Sequence, residues 1–136
     1  MSFIDWNDNF SVNVPLFDEE HKKLVQMTNT LYDAIKQGKG KDAISPLLKD
    51  LTLYVSTHFT HEECAMQKCN YPDLAAHKKA HAEFIKKVSD YMRLHLNGTL
   101  TANQLLNALR DWLIQHICNI DKDYAPFLKK DQTLFF

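Results

Sequence analysis

Four amphipathic segments separated by short turns predict an all-α fold, an up-down-up-down antiparallel four-helix bundle behind an N-terminal extended arm. Composition is the first support: 45% of the 136 residues are hydrophobic, with only three glycines and four prolines. That balance belongs to compact helical chains rather than disordered or β-rich ones. Spacing is the second support. His58 and Glu62 are four residues apart, as are His77 and His81, and side chains four apart on an α-helix share a face.

The arm, residues 1–17, carries Trp6, Phe10, Val12, Val14 and Phe17. Alternation at Phe10, Val12 and Val14 is strand-like, but Pro15 and the short length favour an ordered loop. The first helix is expected from about Asp18 to Lys36, with Leu24, Thr28, Leu31, Ile35 and also His21 on its apolar stripe. Gly38-Lys39-Gly40 ends it. The second is expected from about Lys41 to Met66, with Pro46 in its first turn or so, and Leu47, Leu51, Tyr54, Val55, His58, Glu62 and Met66 inward. Tyr71-Pro72-Asp73 marks the next boundary, with Pro72 or Asp73 starting the third helix. That helix aligns Leu74, His77, His81, Phe84, Val88, Tyr91 and His95, and Asn97-Gly98 stops it. Thr101 is the expected N-cap of the fourth, which turns Leu105, Leu109, Trp112, Leu113, His116 and Ile117 inward until Pro126 limits it. No repeat or second core is visible, so residues 1–136 read as one domain: the arm, then a bundle with a C-terminal tail over 18–136.

Several functions are disfavoured at this level. The net charge of -1 gives no bulk attraction to nucleic acid or an anionic membrane. No apolar run approaches the roughly 20 residues that span a bilayer. The N-terminus lacks a basic segment followed by an apolar one, which makes the cytoplasm the default compartment. Cys64, Cys69 and Cys118 are an odd number for a disulfide framework, so reduced thiols are expected.

In an antiparallel bundle the ends of helices two and four lie beside the starts of one and three. His21, His58, Glu62, His77, His81, His116 and Asp121 would then converge on one layer of the core. Five histidines and two inward carboxylates need cations, because an unpaired buried charge costs several kcal/mol. Histidine-rich ligation with two carboxylates suits iron, though ligand type alone leaves manganese and zinc open. His116 and Asp121 are five apart, which on a regular α-helix leaves them about 140° apart around the axis. A π-type turn or a break near Cys118–Ile120 must lie between them. His95 lies about 21 Å beyond His81 along its helix and reads as structural or exposed. His61 reads as a rim residue. Apolar Phe59, Trp112, Leu113 and Ile117 would surround the centre as a dry ligand pocket.

The runs D-E-E-H-K-K-L, H-F-T-H-E-E-C-A-M, Y-P-D-L-A-A-H-K-K-A-H and W-L-I-Q-H-I-C-N-I-D together resemble the hemerythrins, and the chain length resembles their single-domain bacterial members. The resemblance implies two iron ions in a non-haem di-iron centre. His77, His81 and His116 would bind one iron, and His21 and His58 the other. Glu62 and Asp121 would bridge them with a solvent-derived oxo or hydroxo group, and Tyr124 would hydrogen-bond within the site. The three-histidine iron would be coordinatively full and the other would keep one position open. Reversible dioxygen binding for transport, storage or delivery follows, with azide or nitric oxide as alternative ligands and no enzymatic role. The residues also leave open a di-iron peroxidase, a nitric-oxide scavenger or a dioxygen sensor. The sequence lacks the Glu-x-x-His pairs of ferritin-like di-iron proteins, and it identifies no protein that would receive the dioxygen.

Overall fold

The computed structural model describes residues 3–129. A 3-10 turn over Asp8–Phe10 precedes α1 (Pro15–Lys36), α2 (Gly40–Lys68), α3 (Leu74–Leu96) and α4 (Ala102–Gln115). A π-helical segment, His116–Asp121, joins α4 directly to α5 (Lys122–Lys129). The last three form one continuous rod, the fourth helix of the bundle. Residues 1–2 of the expected arm and 130–136 of the expected tail lie outside the described residues.

The helix starts follow local chemistry, with three departures from expectation. First, α1 begins at Pro15 rather than Asp18. Proline suits the opening position, where its missing N–H would have had no partner. Asp18 then serves the arm: its carboxylate accepts from Ser11 Oγ at 2.7 Å and from the Val12 N–H at 2.8 Å. Asn29 clasps the arm further out, exchanging two 2.8 Å bonds with the Ile4 backbone. Second, Pro46 sits in the second turn of α2. The bond lost there is offset by burial of Ile44 and Leu48 on either side of it. Third, Pro126 does not end the fourth helix, because α5 runs through it to Lys129. Buried Tyr124 and Leu128 hold that last segment down. α3 starts at Leu74, and Asp73 occupies the N-cap position without a side-chain cap. α4 has the expected Thr101 cap, completed into a capping box by Gln104.

Three helices end the same way. Gly38, Asn70 and Gly98 have φ of +75°, +57° and +77°, the left-handed turn that reverses a chain. Behind each, an N–H reaches back into the finished helix: Lys39 to Ala34, Tyr71 to Met66 and Thr99 to Leu94, at 2.8, 2.9 and 2.9 Å. Gly40 has a packing reason instead. A Cβ there would lie 2.7 Å from Ile35 Cγ1 and 2.9 Å from Ala102 Cβ, where the ends of three helices cross.

Leu24, Leu31, Ile44, Leu48, Leu51, Val55, Phe84, Val88, Leu105 and Leu109 fill the centre of the bundle. A second apolar cluster caps one end, built by Val12, Val14 and Phe17 with Met66, Tyr71, Tyr124 and Leu128. The candidate ligands lie between these two dry regions. α1 packs closely on α2 and α4, and α2 on α3, whereas α3 and α4 approach each other far less closely.

Candidate metal centre

All seven sequence-nominated ligands meet in one layer, and each is at most 3% exposed. α1 supplies His21 and the end of α2 supplies His58 and Glu62. The start of α3 supplies His77 and His81, and the π segment supplies His116 and Asp121. The i→i+5 turn settles the spacing problem. It inserts one extra residue per turn, so His116 and Asp121 face the same way, with His116 Nε2 and Asp121 Oδ1 3.0 Å apart.

Each carboxylate spans two groups of imidazoles. Asp121 Oδ1 lies 3.0 Å from both His77 Nε2 and His116 Nε2, while its Oδ2 lies 3.1 Å from His21 Nε2. Glu62 Oε1 lies 3.2 Å from His81 Nε2 and 3.3 Å from His58 Nε2, and its Oε2 is 3.1 Å from His21 Nε2. Ligand atoms of Glu62, His77, His81, His116 and Asp121 all fall within 4.8 Å of one another, as do those of His21, His58 and Glu62. Two adjacent ion sites sharing Glu62 result. The Asp121 Oδ2 contact with His21 brings the second carboxylate to both.

These approaches are close, but few are hydrogen bonds. His77 Nε2, His81 Nε2, His116 Nε2, Glu62 Oε1 and both Asp121 oxygens have no hydrogen-bond partner among the described residues. So many buried, mutually facing lone pairs are what a cation site requires and what a self-satisfied polar core avoids. Nitrogen and oxygen donors without thiolate suit iron. The residues present therefore fit a pair of iron ions.

Charge in the metal-free site follows from the same geometry. Burial opposes ionisation of Glu62, as does the nearby Asp121 charge; His58, His21 and His81 overcome both and hold its carboxyl well below the usual range. Asp121 is likewise depressed against burial, by His116, His21 and His77. Burial lowers the His21 pKa, yet contact with Asp121 and Glu62 wins and lifts it to about 10.

Three supporting contacts surround the ligands. Tyr124, fully buried, donates to Glu62 Oε2 at 2.5 Å. Burial, and then the Glu62 charge, push its phenol pKa well up, so it stays a donor. Glu20 accepts from His58 Nδ1 at 2.9 Å and from His61 Nδ1 at 2.7 Å. Glu63 accepts from His81 Nδ1 at 2.8 Å. Each carboxylate fixes the tautomer that turns a ligand's Nε2 lone pair inward. Tyr124 was anticipated; Glu20 and Glu63 were not. Their signal was adjacency, since each sits next to a ligand on its own helix and faces a ligand on the neighbouring one. His61 is at the rim as expected, 42% exposed, and joined to Glu20.

The four expected pocket residues differ in placement. Phe59 stacks on His81 at 3.7 Å with a 4° tilt, and Trp112 stacks on His116 at 4.5 Å with a 13° tilt. Leu113 and Ile117 are buried in the main core. His95, on the same helix as His77 and His81, is half-buried and away from the cluster.

The sequence matches the model of the hemerythrin HHE cation-binding domain over residues 12–128. It is 36% identical to a bacteriohemerythrin of Pseudomonas paraeruginosa over 133 residues, covering 98% of this chain and 86% of that one. A bacteriohemerythrin of Methylococcus capsulatus is also 36% identical, over 94% of this chain and 98% of its own. A myohemerythrin of Sipunculus nudus is 34% identical, over 88% of each. Among solved structures, a wild-type hemerythrin superposes with a TM-score of 0.78 at 32% identity, covering 93% of this chain and 98% of that one.

Proposed function

The chain belongs to the hemerythrin family, and from that premise we propose that it binds dioxygen reversibly at a non-haem di-iron centre, as a carrier, store or delivery protein. His77, His81 and His116 would hold one iron, His21 and His58 the other, with Glu62 and Asp121 shared between them. The observation that carries this reading is the pair of adjacent buried donor sets sharing carboxylates, with most of their inward lone pairs unpartnered among the described residues. A ferrous pair held there would supply reversible two-electron chemistry toward dioxygen.

The protein's own residues make that binding reversible. Two bridging carboxylates of fixed direction set the separation of the sites. Tyr124 holds one Glu62 oxygen, while Glu20 and Glu63 hold one imidazole on each side of the centre. The apolar faces of Phe59, Leu113 and Ile117, all at most 3% exposed, exclude water. Among the described residues no uncommitted acid stands in this pocket to deliver a proton to a bound ligand, which argues for release over turnover. The donor set with two imidazoles instead of three is the His21–His58 one, so an iron held there would keep a position for small ligands such as azide and nitric oxide. We place the chain in a reducing compartment, the cytoplasm, on its three cysteines. No helix among the described residues is long and apolar enough to cross a membrane.

The test is oxygen cycling. Reduced protein should develop a visible oxygenated band in air, lose it under argon and repeat the cycle. Steady consumption of peroxide or nitric oxide, with no recoverable oxygenated form, would favour a di-iron enzyme instead.

A further inference from the structure

α3 and α4 part company above the metal centre, and a groove of about 350 Å³ opens between them. Its floor is aromatic: Phe84 and Trp112 stack at 3.7 Å. Its rim carries Tyr91, Lys87, Asp111 and Gln115. A smaller cavity of about 140 Å³ shares Phe84, Lys87, Trp112 and Gln115 and reaches His116. Trp112 is half-buried, with one edge in the groove and one face on the His116 ring at 4.5 Å. The groove therefore ends on the three-histidine side of the centre, where an iron held by three imidazoles and both carboxylates would keep no position for an incoming ligand. Dioxygen entry does not explain it.

Electron entry does. Ferrous centres that meet dioxygen are from time to time oxidised to the ferric pair and must be reduced again. Tunnelling falls off steeply with distance, and the stacked Trp112–His116 rings connect a solvent-facing surface to a ligand imidazole by π-contact alone. Resting on the di-iron reading above, we propose that this groove receives a small uncharged hydroquinone, whose electrons pass through Trp112 and His116 to the ferric pair. The charges cancel and favour an uncharged donor: Asp111 is paired with Arg110 at 3.0 Å, and Lys87 shares the adjoining cavity with Glu83. A phosphate-bearing donor would find no surplus of positive charge there. A volume of this size lies at the small end of ligand clefts and fits one aromatic ring system. The hydroquinone gives one electron to each ferric ion, loses its two hydroxyl protons to solvent and leaves as the quinone.

Menadiol and its quinone, menadione, are suitable probes. Ferric holoprotein mixed anaerobically with menadiol should be reduced at a rate that saturates with menadiol concentration. Ala108→Trp fills the groove from α4 without touching a ligand. It should keep its iron and its azide spectrum, lose saturation and slow by about tenfold or more, as for the loss of one decade of affinity. Dithionite, too small to need the groove, should reduce it at the wild-type rate. Trp112→Phe should slow the saturated rate. In a Trp6→Phe background, menadione should quench Trp112 fluorescence in the metal-free protein as well. A wild-type menadiol rate in Ala108→Trp, or no quenching, would overturn the proposal. Failure to retain two irons would overturn the di-iron reading instead, and the quenching would still report on the groove.

Discussion

Tyr124→Phe isolates one atom of the centre. The phenol donates a 2.5 Å bond to Glu62 Oε2 inside a fully buried site. Its ring is held independently, edge-on to Phe17 at 5.8 Å and tilted against His77 at 5.6 Å, so phenylalanine should occupy the same space. A hydrogen bond to a charged group is worth roughly 1.5–3 kcal/mol, and the variant leaves His21 as the remaining polar partner of that oxygen among the described residues. At roughly 4 °C per kcal/mol for a domain of this size, the metal-free variant should melt about 6–12 °C lower. Iron should also be held about 10- to 100-fold more weakly, as expected when the partner that orients a ligand is lost. Calorimetry of the metal-free protein and chelator competition on the iron-loaded protein measure the two effects separately. A melting temperature and iron retention equal to wild type would refute the role given to this contact.

Three further outcomes are expected. Metal must displace a proton from His21. Its folded pKa is raised to about 10, so the charged form stabilises the metal-free fold fully below about pH 6.5 and that contribution fades as pH rises through the folded value. Zinc loading at pH 7 should therefore release a proton that His21→Ala does not, read with an indicator dye in weak buffer; equal release would contradict the assignment. Glu63→Gln, which keeps shape but removes the charge facing His81 Nδ1, should lower iron affinity about 10- to 100-fold while leaving the helical circular dichroism intact; unchanged affinity would count against it. Gly38→Ala, forced into a left-handed turn in open space, should cost about 1–2 kcal/mol of stability in chemical denaturation with full iron content, and no loss would mean the turn relaxes.

The bundle and its ligand layer were legible because both rest on periodicity. His58/Glu62 and His77/His81 are unambiguous at four-residue spacing, and antiparallel packing does the rest. The π segment was legible for the opposite reason: His116 and Asp121 at five residues fit no regular α-helix, and the structure resolves the conflict by widening the turn. Prolines misled the boundaries. Pro15 opens α1, a position that favours proline locally, and Pro126 lies within α5 because tertiary burial of Tyr124 and Leu128 outweighs its local cost. Glu20 and Glu63 escaped notice because their partners, His58 and His81, lie on other helices. Only the packing of α1 on α2, and of α2 on α3, brings them together.

The most direct test of the ligand assignment is a crystal structure of the iron-loaded, oxidised protein soaked in azide. Two irons should appear, bridged by Glu62 and Asp121, with His77, His81 and His116 on one and His21 and His58 on the other. Azide should sit on the His21–His58 iron. A single metal ion, or azide on the three-histidine iron, would contradict the account.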